Sequence, residues 1–408
     1  MLNHIKSKLD FSLIVLFSIY PIAVVSGNFL INSSILIIGS LFLIRIFKKD
    51  TYLFQNKKVL YLLLFFFTTL VINLIFSNNF NLSYPRVLKF IFIIPFILSF
   101  SFLVKNSSDK LEVIYKFWTV FFLVVVIDLI IEFFMGKNIL GQSAGMPGRL
   151  ASFTGEESVI GNFFFGFCLV FLSYFFRKTK KISLNLIFAT CLVIISFLIG
   201  ERANFIRTFF AISLFIFFIY KIDYKIKILS IIFILISSYL VFQISDSDYK
   251  VRYFKQIKVL FVQDGLTKFL ENSTYGAHRN VAKEIFLDNP IFGVGIKNFR
   301  VESSHVRYND LDHKNNQARA SNHPHELYYE FLSETGIFGL FSFLIFIILS
   351  IVLSLKNYFK TKNIYQFSAI IFIVLSILPI IPTGSFLSTF TSSIFWINYA
   401  IMMGYNNE

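Results

Sequence analysis

Long apolar runs alternate with short polar connections along most of the chain, and each run approaches the length of a membrane span. We distinguish runs at 11–27, 29–46, 58–76, 86–104, 111–135, 158–176, 182–199, 203–220, 226–244, 336–355, 364–382 and 385–404. A helix needs roughly 20 apolar residues to cross a bilayer. The runs are continuous rather than alternating, which excludes porin-type strands. The pattern predicts an all-α polytopic membrane protein with about 12 transmembrane helices, forming a single integral membrane domain over residues 1–408.

One long polar segment, residues 245–335, interrupts this pattern between the ninth and tenth runs. Its side of the membrane follows from the rule that short cytoplasmic connections are rich in Lys and Arg. With the N-terminus in the cytoplasm, twenty Lys and Arg fall in cytoplasmic connections. The short outer connections then hold only Arg86, Lys137, Arg149 and Arg202. This asymmetry and the even number of runs predict two cytoplasmic termini and a large outer loop at 245–335.

Composition agrees with a membrane protein and gives no sign of a nucleic-acid partner. The chain is 56% apolar and only 15% charged, against roughly 25% charged residues in soluble domains. The net charge of +15 does not come from the outer loop, which has twelve basic and twelve acidic residues. The excess lies on the cytoplasmic face, where anionic lipid is its natural partner. Cys168 and Cys191 both lie within predicted spans, so they form neither a disulfide framework nor a metal cluster.

Five of the six histidines fall in the outer loop: His278, His305, His313, His323 and His325. His323 and His325 stand where the loop returns to an apolar run. A histidine with a pKa near neutrality is well suited to take a proton from a sugar hydroxyl. Equally, either residue could cap the following helix. A zinc site is a weaker alternative, because the spacing matches no regular zinc signature and no cysteine is near. We therefore predict no metal and no cofactor.

Several arginines lie at or near the predicted outer membrane boundary: Arg149, Arg202, Arg207 and Arg279. A charge between two apolar helices is costly unless it is paired or wetted, so Arg202 is a functional candidate. The planar guanidinium binds phosphate oxygens in a bidentate manner, and several together would suit a diphosphate. Alternatively, Arg202 pairs with an acid and only anchors a helix end. The acids near it in the pattern are Glu156, Glu157 and Glu201.

Two acidic residues, Asp128 and Glu132, are spaced four apart near the outer end of the fifth run. Arg86 and Lys89 occupy a similar position in the fourth run. We predict a structural salt-bridge network between these two helices. The alternative is a proton path, which would point to a transporter.

Four stretches on the outer side resemble the O-antigen ligase and polymerase superfamily. The family signature is a His, an amide or Ser, nine residues and Gly-x-x-Gly. His325 and the pair Gly336 and Gly339 fit this spacing, although Glu326 occupies the amide position. The helix-capping or substrate contact made at that position in the family is therefore open here.

The other stretches occur in the family's order. Arg202 in GERANFI resembles the family's arginine at the start of a span, although Ile replaces the Leu four residues later. Residues 278–299 resemble the opening of the large periplasmic loop, which would make Arg279 the second family arginine. Residues 148–163 resemble an element ahead of a span. The resemblance thus covers roughly residues 145–345, together with the twelve-span layout.

The resemblance implies a location and a chemistry. The protein would lie in the bacterial inner membrane, with its active site facing the periplasm. The donor would be a glycan on undecaprenyl diphosphate, with Arg202 and Arg279 holding the diphosphate and His325 accepting the proton of the attacking sugar hydroxyl. The reaction would be metal-independent and would invert the anomeric configuration. Further candidates by position are Arg149, Glu156, His323 and Glu326.

Ligases and polymerases share this donor and differ in the acceptor. We favour an O-antigen ligase, a glycosyltransferase of lipopolysaccharide biosynthesis whose acceptor is lipid A core. The alternative is a polysaccharide polymerase that joins lipid-linked repeat units. A transporter or flippase would belong to a different class, in which Asp128 and Glu132 couple to protons. Nearly all charges lie at the ends of the spans, which argues against that class.

Overall fold

The computed structural model describes residues 2–47, 57–106, 108–157, 159–179, 181–219, 223–244, 247–255, 258, 262, 265, 271, 273–309, 315–379 and 381–406. We number the helices of more than ten residues in chain order. They are α1 (Leu2–Ser26), α2 (Asn28–Phe47), α3 (Lys57–Ile75), α4 (Phe80–Asn106), α5 (Ser108–Met135), α6 (Ile160–Lys178), α7 (Ile182–Leu198), α8 (Arg202–Phe218), α9 (Tyr224–Ile244), α10 (Thr274–Asp288), α11 (Leu327–Thr361), α12 (Ile364–Ser376) and α13 (Thr389–Gly404). The described residues contain no β-strand.

A helix lies at each of the apolar runs. Eight of the described helices are long and apolar enough to cross a membrane, namely α1 from Lys8, α2, α3, α4, α5, α6, α9 and α11. This confirms an all-α polytopic membrane protein. The remaining runs form the shorter helices α7, α8, α12 and α13, so the number of spans and the loop boundaries stay predictions.

Aromatic side chains fill much of the space between the helices. The indole Nε1 of Trp118 on α5 donates to the Phe17 carbonyl of α1 at 2.6 Å. Phe66 of α3 stacks on Phe346 of α11 with the ring centroids 5.0 Å apart. The ring centroid of Trp396 on α13 lies 6.3 Å from that of Phe66. Lipid tails are as apolar as these rings, so close packing rather than burial from water holds such helices together. The packed helices support the polar loops that connect them.

Two predicted runs differ from the observed helices. The run predicted over 364–382 is helical only to Ser376, because Pro379 and Pro382 cannot donate backbone hydrogen bonds within a helix. Residues 377–379 and 381–388 are not helical, and we call them the α12–α13 segment. Helix α11 begins at Leu327, nine residues before the run predicted at 336–355. The last residues of the predicted outer loop therefore belong to a long helix.

Helix α11 is broken at Gly336, where φ is +64°. A loop that follows α10 supplies the backbone partners that the break leaves free. In this loop, Val294 N donates to the Ser333 carbonyl at 2.9 Å, and the Pro290 carbonyl accepts from Ile337 N at 2.9 Å. Pro290, Gly293 and Gly295 predict a turn within residues 288–299, and residues 290–292 and 296–297 form turns there. Gly336 of the His-to-Gly signature thus allows the backbone of this loop to approach α11 closely. It does not bring two helices together.

Replacing Gly336 with alanine is expected to destabilise the protein by about 3 kcal/mol or more. The substituted residue would carry a left-handed φ, and its Cβ would meet the backbone of Ile291 and Phe292. Gly136 is a matched control, because its φ is +71° but nothing lies within 4 Å of an added Cβ. Gly136→Ala should cost only about 1 kcal/mol. Thermal midpoints in detergent measure both, and equal losses would contradict the importance of the loop contact.

The polar connections meet at one end of the bundle, which we call the polar end. The loop after α10 is joined there to the α3–α4 connection, where Asn78 N donates to the Val294 carbonyl at 2.9 Å. The α5–α6 and α7–α8 connections are joined by Leu150 N, which donates to the Ile199 carbonyl at 3.1 Å. At the opposite end, Arg45 of α2 pairs with Asp10 of α1 at 2.6 Å. The polar end therefore collects the predicted site residues.

Candidate active site at the polar end of the bundle

Three histidines from two parts of the chain form a cluster with one tyrosine. The ring centroids of His323 and His325 are 3.9 Å apart, and that of His278 on α10 lies 5.1 Å from His325. Tyr275, one turn earlier on α10, lies 5.2 Å from His325. His325 has a φ of +59°, which is uncommon for a residue other than glycine. We call these four residues the histidine cluster.

The α12–α13 segment holds this cluster through its main chain. Thr383 N donates to the His325 carbonyl at 2.9 Å, and the Thr383 carbonyl lies 3.3 Å from His323 Nε2. Because a carbonyl only accepts, the His323 Nε2 must carry a proton. Helix α11 is capped by Glu326, whose carboxylate accepts from Tyr329 N at 2.9 Å. The alternative that a histidine caps this helix is therefore wrong, and Glu326 has a capping role.

The histidines do not have the near-neutral pKa that would suit a general base. Burial, then the neighbouring His323 and His278, lower the pKa of His325 to about 3. Burial, then the charge of Lys297, lower the pKa of His323 to about 4. Burial also lowers the pKa of His278. The three histidine rings are thus uncharged at neutral pH, so each has a nitrogen able to accept a proton.

Acidification from pH 7 to pH 4 is expected to destabilise the protein through His323 and His325. The unfolded chain takes up protons near pH 6.5, whereas the folded histidines stay neutral down to about pH 4 and pH 3. The unfolded state binds more protons in this window, so stability rises with pH across it. Thermal midpoints measured across this range should show a smaller pH slope in His323→Gln. The exposed His305 is the control, and an equal reduction in His305→Gln would contradict this account.

Hydrogen bonds between polar and charged side chains connect the α12–α13 segment to α11 and to the loop after α10. Ser385 Oγ donates to Glu330 Oε1 at 2.5 Å, and Phe386 N donates to Oε2 at 2.8 Å. The buried Lys297, from the loop after α10, donates to Ser385 Oγ. Lys297 has a φ of +68°. None of these groups was a candidate from the sequence.

Three arginines form a second cluster, around Gly200 in the α7–α8 connection. Arg252 Nε donates to the Gly200 carbonyl at 2.6 Å, and Arg202 donates to the Arg252 carbonyl at 3.3 Å. The backbone of Arg149 packs against Gly200. Burial, then the charges of Arg149 and Arg202, lower the pKa of Arg252. We call Arg149, Arg202 and Arg252 the arginine cluster, of which Arg252 was not a candidate from the sequence.

Glu201 lies close enough to this cluster to interact with it, because the charges of Arg149 and Arg252 counteract the rise that burial gives to the pKa of Glu201. The same carboxylate accepts from Gly161 N at 2.9 Å and from Asn204 Nδ2 at 2.6 Å. The described ion pairs include none between Arg202 and Glu201, so that form of the helix-anchor alternative is not supported. Arg149 Nε is buried and has no hydrogen-bond acceptor within the described residues. The Glu156 side chain lies outside the described part of the chain.

The second predicted arginine, Arg279, lies beside the histidine cluster rather than in the arginine cluster. It is on α10, one residue after His278 and four after Tyr275. Residues four apart on a helix are neighbours on its surface, so Arg279 shares the face of Tyr275. The structure therefore distributes the two predicted arginines over two parts of the polar end.

The predicted salt bridges between α4 and α5 are not formed. Asp128 accepts from Ile139 N at 2.7 Å and from Ser152 Oγ at 2.5 Å. Glu132 accepts from Ser152 N at 2.7 Å. Arg86, by contrast, donates to Thr389 on α13 at 2.9 Å. The two carboxylates stabilise the connection after α5, because its backbone N–H groups need buried acceptors.

The zinc alternative for the histidines gains no support from the geometry. In the described ranges, no group of three or more His, Cys, Asp and Glu side chains is arranged to hold a metal ion. His305 is exposed on the loop surface, and His313 lies outside the described residues.

Part of the chain matches a known protein family. The family described as O-Antigen ligase matches residues 187–344. This range contains Arg202, Arg279 and all five histidines of the predicted outer loop, and it ends one residue before the predicted limit of 345. Arg149 and Glu156 precede it. No curated protein matches the sequence.

Proposed function

We propose that this member of the O-antigen ligase and polymerase superfamily transfers a glycan from undecaprenyl diphosphate to an acceptor sugar hydroxyl. The acceptor we favour is lipid A core, and the reaction takes place at the periplasmic face of the bacterial inner membrane. The family match supports glycosyl transfer in general. The choice of donor, acceptor and residues rests on the geometry of the polar end.

The observation that carries the proposal is the arginine cluster at the same end as the histidine cluster. Arg252 donates to the Gly200 carbonyl, Arg202 donates to the Arg252 carbonyl, and the charges of Arg149 and Arg202 both lower the pKa of Arg252. The buried Nε of Arg149 has no acceptor in the described structure. Buried charges of one sign are costly unless an opposite charge joins them. A diphosphate would supply at least two negative charges and many acceptor oxygens, and arginine forks match its geometry.

In the proposed reaction, the acceptor oxygen attacks the anomeric carbon of the donor sugar. A new carbon–oxygen bond forms while the bond from the anomeric carbon to the phosphate oxygen breaks. The hydroxyl proton passes to a ring nitrogen of His325. Arg202, Arg252 and Arg149 stabilise the charge that develops on the leaving diphosphate, and Arg279 approaches it from the side of the histidine cluster. Direct displacement inverts the anomeric configuration, and the arginines take the electrostatic role that a metal would otherwise have.

Donor binding would also make His325 a better base. A histidine whose pKa is about 3 accepts a proton weakly, and a base works best when its pKa is near the working pH. An anionic diphosphate near the cluster would favour the imidazolium form and raise this pKa. In this way His325 would gain basicity only when a donor is in place.

Transfer assays in proteoliposomes test the proposal, with a lipid-diphosphate glycan as donor. Lipid A core and a second lipid-linked glycan are offered as separate acceptors, with and without EDTA. Product on lipid A core that persists in EDTA and is lost in His325→Ala and Arg279→Ala would support the metal-free ligase. Chain elongation instead would assign a polymerase. No transfer to either acceptor would overturn the proposal.

A transporter is the rival from a different class, and the same vesicles test it. Its proton-coupling candidates, Asp128 and Glu132, are occupied by backbone and hydroxyl donors of the α5–α6 connection. Movement of the lipid-linked glycan across the vesicle membrane, with no new glycosidic bond, would favour this rival.

A further inference from the structure

The α12–α13 segment depends on one side chain of a neighbouring helix for its position. Arg207 on α8 is buried, and its NH2 group donates to the carbonyls of Ile381 and Pro382 at 3.1 Å each. These carbonyls have no helical partner, because the prolines end α12. One nitrogen of the guanidinium group thus satisfies both backbone acceptors through its two N–H bonds.

The next residue of the segment holds the histidine cluster. Thr383 follows Pro382 directly, and its main chain contacts both His323 and His325. Two hydrogen bonds therefore connect Arg207 to the backbone of His325, one to the Pro382 carbonyl and one from Thr383 N. The peptide unit between Pro382 and Thr383 joins them. The left-handed φ of His325 needs such outside support, because this conformation is costly for a residue with a Cβ.

Arg207 is also connected to the other cluster. Its NH1 group donates to Asn204 Oδ1 at 3.4 Å, and Asn204 in turn donates to Glu201. Arg202 begins the same helix five residues earlier, a rise of about 7.5 Å. A single rigid helix therefore carries an arginine of the arginine cluster and the group that holds the α12–α13 segment.

We propose that Arg207 is a positioning residue. By donating to two carbonyls of the α12–α13 segment, it fixes this segment and thereby the position of His325 relative to the arginine cluster. The inference rests on the proposed transferase function for its catalytic consequence. The hydrogen-bonded connection from Arg207 through the α12–α13 segment to His325, which we call the clamp, does not depend on that function. Because Arg207 acts on His325 through the backbone of the α12–α13 segment, it should affect turnover rather than donor affinity.

Two variants of Arg207 test this role in the full-length protein. In Arg207→Met, kcat per folded protein should fall roughly 10- to 100-fold, because small errors in the placement of a base are costly. The donor KM should stay within about threefold. Arg207→Lys should recover part of the loss, since it can donate to one of the carbonyls. Should the Met variant fail to fold, the Lys variant still has to show a smaller loss of the same kind.

Hydrogen–deuterium exchange of peptides spanning 381–388 gives a second measurement that needs no activity. The amide of Thr383 should exchange faster in both Arg207 variants. Arg45→Met is the matched control, because Arg45 is also buried and hydrogen-bonded but lies at the opposite end of the bundle. This control should lose thermal stability while keeping kcat per folded protein and exchange in 381–388 unchanged.

The results separate the clamp from the transferase function. Faster exchange in the Arg207 variants with unchanged exchange in the control supports the clamp, even if wild-type protein transfers no glycan. Turnover within twofold of wild type in Arg207→Met would overturn the positioning role. A large loss of turnover without faster exchange, or a loss confined to the donor KM, would overturn it as well.

Discussion

Replacing His325 with asparagine is expected to lower kcat for glycan transfer by roughly 10²- to 10⁴-fold, the usual contribution of a general base. The loss arises because the asparagine side-chain amide cannot serve as a base for the proton of the attacking hydroxyl. Asparagine is preferred to alanine for this test, since it tolerates the left-handed backbone that His325 adopts. The backbone contact with Thr383 should therefore survive. The measurement is kcat in proteoliposomes at saturating donor and acceptor.

Alanine and a second histidine complete the experiment. His325→Ala should be equally inactive but less stable, because it adds backbone strain to the loss of the base. His305→Ala is the control in the same loop, and it should keep full activity because His305 is exposed and away from the cluster. An active asparagine variant beside an inactive alanine variant would show that position 325 matters only for its backbone.

The pH dependence of the wild type provides a further check on the role of His325. The profile of kcat/KM reports the free enzyme, in which the pKa of His325 is about 3. It should therefore show no loss attributable to this base between pH 7 and pH 5. The profile of kcat reports the donor complex, where the diphosphate would raise this pKa. Its acid limb should lie at higher pH, and coincident limbs would contradict the link between donor binding and basicity.

The helices could be predicted from the sequence because a bilayer admits few alternatives. Every backbone polar group must be satisfied within a span, so a continuous apolar run of sufficient length becomes a helix. The errors arise where the protein, rather than lipid, surrounds the chain. The run 364–382 looks uniform in hydropathy but ends at Ser376, and its prolines were the available signal. Helix α11 begins early because Glu326 caps its first turn and Glu330 accepts from the distant Phe386, a partner that no local pattern reveals.

The site was only partly accessible from the sequence for a related reason. Family spacing identified His325, Arg202 and Arg279, and the structure places all three at the polar end. Arg252 is fifty residues from Arg202 in the chain, so their proximity needs the tertiary fold. Thr383 contacts the histidines through its main chain, which requires no particular residue type at this position. The sequence therefore gives no sign of the contact. The histidine pKa values depend on burial, which is also a tertiary property.

Replacing either Arg202 or Arg252 with alanine is expected to reduce kcat/KM for the donor by roughly 10²- to 10³-fold, in line with the loss of one preorganised donor group. Both would contact the same diphosphate, so the double variant should lose less than the product of the single losses. Arg202→Lys should restore little, because a lysine cannot present two parallel N–H groups. Competition by inorganic diphosphate should weaken in the same variants.

A nearby cation serves as the matched control for the arginine cluster. Lys250 is exposed and lies two residues before Arg252, at the end of the preceding helical turn. If the cluster acts only by attracting anions over a distance, Lys250→Ala should reduce activity to a similar degree. If the guanidinium groups bind the diphosphate directly, Lys250→Ala should change kcat/KM less than twofold, since an exposed charge is screened by salt. Multiplicative losses in the double arginine variant would show that the two side chains act on separate groups, and the diphosphate assignment would then fail.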